Sequence, residues 1–136
     1  MRWKPWSVLF FSVIAYHVTM AQTPSPESVV QANLDAYNRR DWPLFMSFFP
    51  DSIALYTFPQ ANPQLAGKQA VGARYKQLFD ASPNLHSEIL SRMIIGNRVI
   101  DHERIIGRMG SPDPVYLVMI YDVEGDRITR MTAVRH

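Results

Sequence analysis

The sequence predicts an α+β domain in which about three amino-terminal helices pack on one face of a curved, mostly antiparallel β-sheet. Three observations predict it. Apolar residues recur at helical spacing up to Phe79, the period changes to two from His86 onward, and short turn signals cut that second half into long strands.

Ser25 is a good N-cap, Pro26 suits the first helical position, and Glu27 sets a negative charge against the positive end of the helix dipole. Val30, Leu34 and Tyr37 then share one apolar face, which carries the first helix to about Arg39. Asp41 caps a short second helix, Trp42 to Phe48, which tolerates Pro43 in its first turn and stops at Pro50. Ile53 to Phe58 has strand composition, and the Pro-rich stretch Pro59 to Gln64 breaks the order. A third helix follows Gly67, with Ala70, Val71, Arg74, Tyr75, Leu78 and Phe79 in one broad stripe, and Ser82-Pro83 ends it. Four strands follow: His86 to Ile95, Arg98 to Gly107, Pro114 to Val123 and Arg127 to Arg135. Hairpin turns at Gly96-Asn97 and Glu124-Gly125-Asp126 and a loop from Gly110 to Asp113 join them.

Ahead of these elements, Arg2 and Lys4 precede an apolar run from Ser7 to Thr19 that closes on Thr19-Met20-Ala21. The run is too short to span a hydrocarbon core of ~30 Å, and small residues stand where a signal peptidase reads. Residues 1–21 are therefore expected to be a secretory signal peptide cleaved after Ala21, an uncleaved anchor being the alternative. Residues 22–26 form a short leader and residues 27–136 one domain. The expected location is outside the cytoplasm, periplasmic or secreted, with no stable membrane anchor after cleavage. Arg2 and Lys4 leave with the signal, so the remaining domain is formally neutral and the chain's pI of 9.1 gives no reason to expect nucleic acid. The absence of cysteine excludes disulfides, thiolate nucleophiles and thiolate metal sites.

The order of elements, together with three short stretches, resembles the nuclear transport factor 2-like superfamily, which includes ketosteroid isomerases, SnoaL-type polyketide cyclases, scytalone dehydratase and non-catalytic binding modules. The stretches are Val29-Val30-Gln31 through Tyr37-Asn38-Arg39-Arg40-Asp41, Phe48-Phe49-Pro50-Asp51, and Ala66-Gly67-Lys68-Gln69-Ala70-Val71; Gly125-Asp126-Arg127-Ile128 fits the last hairpin. The resemblance implies a cone-shaped fold with a pocket, and it identifies fold better than activity. An approximate alignment with the isomerases sets their general base on Thr57, their oxyanion Tyr on Asn33 and their protonated Asp on Leu117, so none of that machinery is retained; offsets of one residue bring Tyr37 or Tyr56 into related positions.

With Gly96-Asn97 as the turn, Arg92 faces Asp101, and alternation sets His86, Glu88, Leu90, Arg92 and Ile94 on one face with Val99, Asp101, Glu103 and Ile105. Two readings compete for this face. Hydrophobic patterning favours burying the opposite face of Ile89, Met93, Ile95, Ile100 and Ile106, which leaves Arg92, Asp101 and Glu103 as a solvated salt-bridge ladder. The resemblance instead turns His86, Asp101, Glu103 and Ile105 toward a cavity, where Arg92 neutralises Asp101, Glu103 beside Leu90 is raised in pKa for proton transfer, and His86 is a second titratable group. Asp101-His102-Glu103 is not expected to hold a metal, because consecutive strand residues point to opposite faces.

The expected function is binding of a small apolar or amphipathic molecule, without cofactor or metal, in a pocket lined by Asn33, Tyr37, Trp42, Tyr56, Tyr75, Leu117, Met119 and Met131. One alternative is a cofactor-free acid/base isomerase, dehydratase or cyclase with His86, Arg92, Asp101 and Glu103 as its catalytic set. The other is a non-catalytic interaction module. A homodimer is expected in each case, since the superfamily often dimerises through the outer sheet face.

Overall fold

The computed structural model describes Met1 and residues 13–135. The charged start of the expected signal segment, with Arg2, Lys4 and the apolar run up to Phe11 and Ser12, lies outside the described residues, as does His136. Among the described residues no helix is long and apolar enough to cross a membrane.

Two helices open the domain, α1 (Pro26–Arg39) and α2 (Trp42–Ser47). Ser25 caps α1, its Oγ accepting the Ser28 N–H at 3.1 Å, and Asp41 caps α2 by accepting the Leu44 N–H at 3.1 Å. Between them Arg40 takes a left-handed conformation (φ 54°), which ends α1 and lets the chain reverse within two residues. Strands β1 (Ala54–Thr57) and β2 (Leu65–Ala66) precede α3 (Lys68–Asp80), after which β3 (His86–Ile95), β4 (Arg98–Ile106), a single 3₁₀ turn (Arg108–Gly110), β5 (Val115–Glu124) and β6 (Arg127–Arg135) complete the chain.

The six strands form one sheet in the order β2-β1-β6-β5-β4-β3, antiparallel except for the parallel pair β1–β6. The three helices pack on its concave face. Strand β2 was not expected. The Pro59–Gln64 stretch turns the chain back so that the Gln64 N–H reaches the Leu55 carbonyl at 2.7 Å, and a two-residue strand carries no period to read. The 3₁₀ turn was likewise not expected, since the sequence reads as strand to Gly107 and as loop from Gly110.

Phe45 is the centre of an aromatic cluster, with ring centroids 4.6 Å from Tyr75, 5.1 Å from Phe49, 5.4 Å from Phe79 and 6.0 Å from Tyr37. These rings join all three helices over Leu117, Met119 and Met131 of the sheet.

Of the two faces of the β3–β4 hairpin, the one with Val99, Asp101, Glu103 and Ile105 is buried, and Met93, Ile95 and Ile106 are exposed. A solvated salt-bridge ladder is therefore ruled out. Patterning misread the faces because both are apolar enough to bury, and the helices cover the one that also carries charge. The register also departs from the expected one: Arg92 faces Asp101, but a β-bulge between Ile89 and Ser91 leaves Leu90 without a partner and sets Ile89 opposite Glu103 and Ser87 opposite Ile105. Ahead of the bulge it is Ser87 and Ile89 that face the helices, while His86, Glu88 and Leu90 turn to solvent.

Candidate functional site

Between sheet and helices lies a cavity of ≈ 200 Å³. Asn33 and Tyr37 of α1, Phe45 of α2 and Tyr75 of α3 form one wall; Glu103, Leu117, Met119, Tyr121 and Met131 form the other. Arg74, Arg108 and Arg135 also line it, with Gln64 and Gln77.

Among the described residues Glu103 is the one acid lining this volume, and it is only 4% exposed. Both its oxygens accept hydrogen bonds, Oε2 from Ser87 Oγ at 2.9 Å and Oε1 from Tyr121 Oη at 3.1 Å. Burial pushes its pKa up from 4.5 to about 7; the Ser87 and Tyr121 hydroxyls work against that rise, and the nearby Asp101 charge adds to it. A carboxyl poised near neutrality in an apolar cavity can both accept and return a proton.

Three phenols surround it. Tyr75 is pushed up to about 12 and Tyr37 and Tyr121 are raised as well, each chiefly by burial. All three stay protonated donors across the physiological range. Tyr121 is committed to Glu103. The Tyr37 and Tyr75 hydroxyls make no hydrogen bond to the protein among the described residues, and no fully buried side-chain oxygen is left without a partner, so both open on the cavity.

Behind the cavity, Arg92 makes a two-point contact with Asp101, Nε to Oδ1 at 2.7 Å and Nη2 to Oδ2 at 2.8 Å, and its Nη1 donates to Gln31 Oε1 at 2.9 Å. Asp101 is 1% exposed. The pair ties β3 and β4 to α1 and does not line the cavity, so neither residue is placed to touch a ligand there. His86 is exposed on the outer face, because the bulge at Leu90 reverses the phase of the strand ahead of it. Leu90 is exposed for the same reason, and the apolar neighbour expected beside Glu103 is Ile89.

Of the expected pocket residues, Asn33, Tyr37, Tyr75, Leu117, Met119 and Met131 line the cavity. Trp42 and Tyr56 do not. The Trp42 indole N–H donates to the Gly72 carbonyl at 2.9 Å, which clamps its ring between α2 and α3. Tyr56 alternates with the cavity-lining Leu55 on β1, so it faces the other way, under the Arg130 guanidinium at 3.7 Å. Asn33 is held by its own bond to the Phe45 carbonyl at 3.1 Å, and Thr57, which donates to Gln64 Oε1 at 2.9 Å, lies outside the cavity. Sequence reasoning missed Ser87, hidden by the bulge, and Tyr121, although it shares one face of β5 with Leu117 and Met119.

Among the described residues no group of three His, Asp or Glu side chains could hold a metal ion. Asp101, His102 and Glu103 alternate across the strand, as their spacing requires.

Solved structures share this fold. An uncharacterized cystatin fold protein from Novosphingobium aromaticivorans superposes with a TM-score of 0.74 at 25% identity, covering 82% of this chain and 99% of the other. A nuclear transport factor 2-like protein of unknown function from Cytophaga hutchinsonii gives 0.70 at 13% identity, covering 86% and 95%. An LEH-like epoxide hydrolase of M. tuberculosis gives 0.67 at 14% identity, covering 82% of each chain. No curated protein matches the chain in sequence. The SnoaL-like domain matches residues 30–131, which runs from α1 into the last strand and takes in the cavity walls described above except Arg135. The chain belongs to the SnoaL-like domain family, and it shares its fold with a nuclear transport factor 2-like protein.

Proposed function

We propose that this is an exported domain that binds a small apolar or amphipathic molecule and performs cofactor-free acid/base chemistry on it. Glu103 is the proton-transfer group. The observation that carries the reading is a buried carboxyl of pKa about 7 lining an apolar cavity, with both oxygens held by hydroxyls. As a carboxylate, Glu103 removes a proton from a carbon next to a carbonyl. The C–H electrons move onto the carbonyl oxygen, and the open hydroxyl of Tyr37 or Tyr75 donates to the enolate formed. Returned to a different carbon, the proton completes an isomerisation; given instead to a β-hydroxyl that leaves as water while the enolate electrons form the C=C bond, it completes a dehydration. That the same fold serves an epoxide hydrolase in M. tuberculosis supports a reactive cavity without fixing the reaction.

The test is proton exchange in D2O. The protein is incubated with 1-indanone, 1-tetralone and 2-cyclohexenone, and loss of α-proton signal is followed by NMR. Exchange above background with at least one ketone is expected, falling about 10²- to 10⁴-fold in Glu103→Gln. Exchange that survives in the variant assigns the base elsewhere, and no exchange with any ketone rejects proton abstraction from such carbons.

The outer sheet face favours a second reading, self-association, which is compatible with the first. Met93 and Ile95 are each 58% exposed, with exposed Leu90 further along the same strand, a patch apolar enough to be covered by a second copy. Light scattering should give twice the chain mass for the wild type and the single mass for Ile95→Lys; a monomeric wild type ends this reading.

A further inference from the structure

Arg74 of α3, Arg108 of the 3₁₀ turn and Arg135 at the end of β6 line the same cavity as Glu103. Elsewhere Arg92, Arg98, Arg104 and Arg127 each pair with a carboxylate. Among the described residues the guanidiniums of Arg74, Arg108 and Arg135 have no ion-pair or hydrogen-bond partner. All three act on the Tyr75 phenol, which they pull toward lower pKa against burial and the Glu103 charge, so their charges converge on one end of the cavity. Arg108, the least exposed of them, reaches Tyr37 as well.

The backbone that carries Arg108 is fixed. Gly107 has φ +69°, and a Cβ there would come within 2.3 Å of the Asn84 carbonyl oxygen, so the chain lies directly against the turn before β3. Met109, a non-glycine residue at φ 51°, is held by its N–H donating to Ser82 Oγ at 2.8 Å. Arg108 is thus presented from a fixed backbone, so binding has only its side chain to order.

The volume limits what can be enclosed. A cavity of about 150 Å³ takes up benzene, and drug-sized ligands need about 300–1,000 Å³. At ≈ 200 Å³ the enclosed body is one or two rings. A neutral ligand sealing the opening would strip water from the half-buried Arg108 guanidinium and offer it nothing, whereas an anion supplies a counter-charge.

We propose that the cavity takes an amphipathic monoanion, its one- or two-ring apolar body against Tyr37, Phe45 and Met119 and its carboxylate at Arg108, Arg135 and Arg74. This rests on the reading of the cavity as a ligand site and adds the charge class of the ligand. Calorimetric titration with 2-naphthoate and with its neutral isostere 2-naphthamide tests it. The acid should bind roughly 10- to 100-fold more tightly than the amide, and added salt should weaken only the acid. In Arg108→Gln/Arg135→Gln that preference should vanish while the amide keeps its affinity. If circular dichroism shows the double variant unfolded, Arg74→Gln on the exposed face of α3 should shrink the preference severalfold instead. Equal binding of acid and amide by the wild type, or a preference unchanged in the folded arginine variants, overturns the anion assignment alone. Binding of neither probe overturns it together with the ligand-site reading on which it rests.

Discussion

Asn38 holds the backbone of Ser87 from both directions: its Oδ1 accepts the Ser87 N–H at 2.8 Å and its Nδ2 donates to the Ser87 carbonyl at 3.0 Å. The last turn of α1 thereby stands in for a neighbouring strand along the free edge of β3, at the residue whose hydroxyl reaches Glu103. Helix, edge strand and candidate base are joined through two side chains.

Asn38→Ala should therefore do two things. Two part-buried backbone groups lose their partners, which costs about 1–3 kcal/mol in urea unfolding. The Ser87 hydroxyl also loses its fixed position, so the Glu103 pKa rises further, as NMR titration of the side chain would record. A stability loss with no movement of Glu103 would show that Ser87 is positioned by β4 alone.

Stability itself should depend on Glu103 in a direction unusual for a carboxyl. Its folded pKa is raised, so its contribution is fully present below pH 4.5 and is lost as pH climbs through about 7. A rise from 4.5 to about 7 corresponds to roughly 3 kcal/mol. Urea midpoints between pH 4.5 and 8.5 should fall with rising pH in the wild type and flatten in Glu103→Gln; parallel curves for the two proteins contradict the burial argument.

Activity should follow the opposite course. The base form is the carboxylate, so kcat/KM rises with pH through about 7. In Tyr121→Phe one of the hydrogen bonds that favour the charged form is gone, and the rising limb should move to higher pH. A limb that stays in place assigns it to another group.

Arg92 and Asp101 form a buried pair whose single removal strands a charge. Asp101→Asn or Arg92→Met should each cost about 3–5 kcal/mol, and the apolar double replacement Arg92→Met/Asp101→Leu should recover much of it. Additive losses in the double variant would show that the two residues act separately.

The helices were legible because their start and stop signals are local: Ser25 and Asp41 cap as their side chains require, and α1 and β3 begin and end where caps and turns place them. Strand pairing near the turn was legible too, since Gly96-Asn97 fixes Arg92 opposite Asp101. What the sequence hides begins further from the turn. No local pattern marks Leu90 as the extra residue, so His86 was placed with Glu103 and Ser87 was not. Nor does alternation say which of two apolar faces the helices cover; that is settled by the aromatic side chains of Tyr37, Phe45 and Tyr75, which come from distant parts of the chain. Trp42 and Tyr56 were misassigned because an aromatic residue near a cavity packs outward as readily as inward.

The unpaired residue at Leu90 divides β3 into two reading frames, one presenting Ser87 and Ile89 to the helices, the next presenting Arg92. Loss of a neighbouring residue such as Ile89, with Leu90 kept as the extra one, would shift the first half by one place and turn Glu88 and His86 inward in place of Ser87. No point substitution in the strand could make that exchange while keeping its composition. In a cavity built on such a strand, insertion and deletion are a separate route to new chemistry, one that moves a whole set of side chains at once and leaves the turn, the caps and the far half of the hairpin untouched.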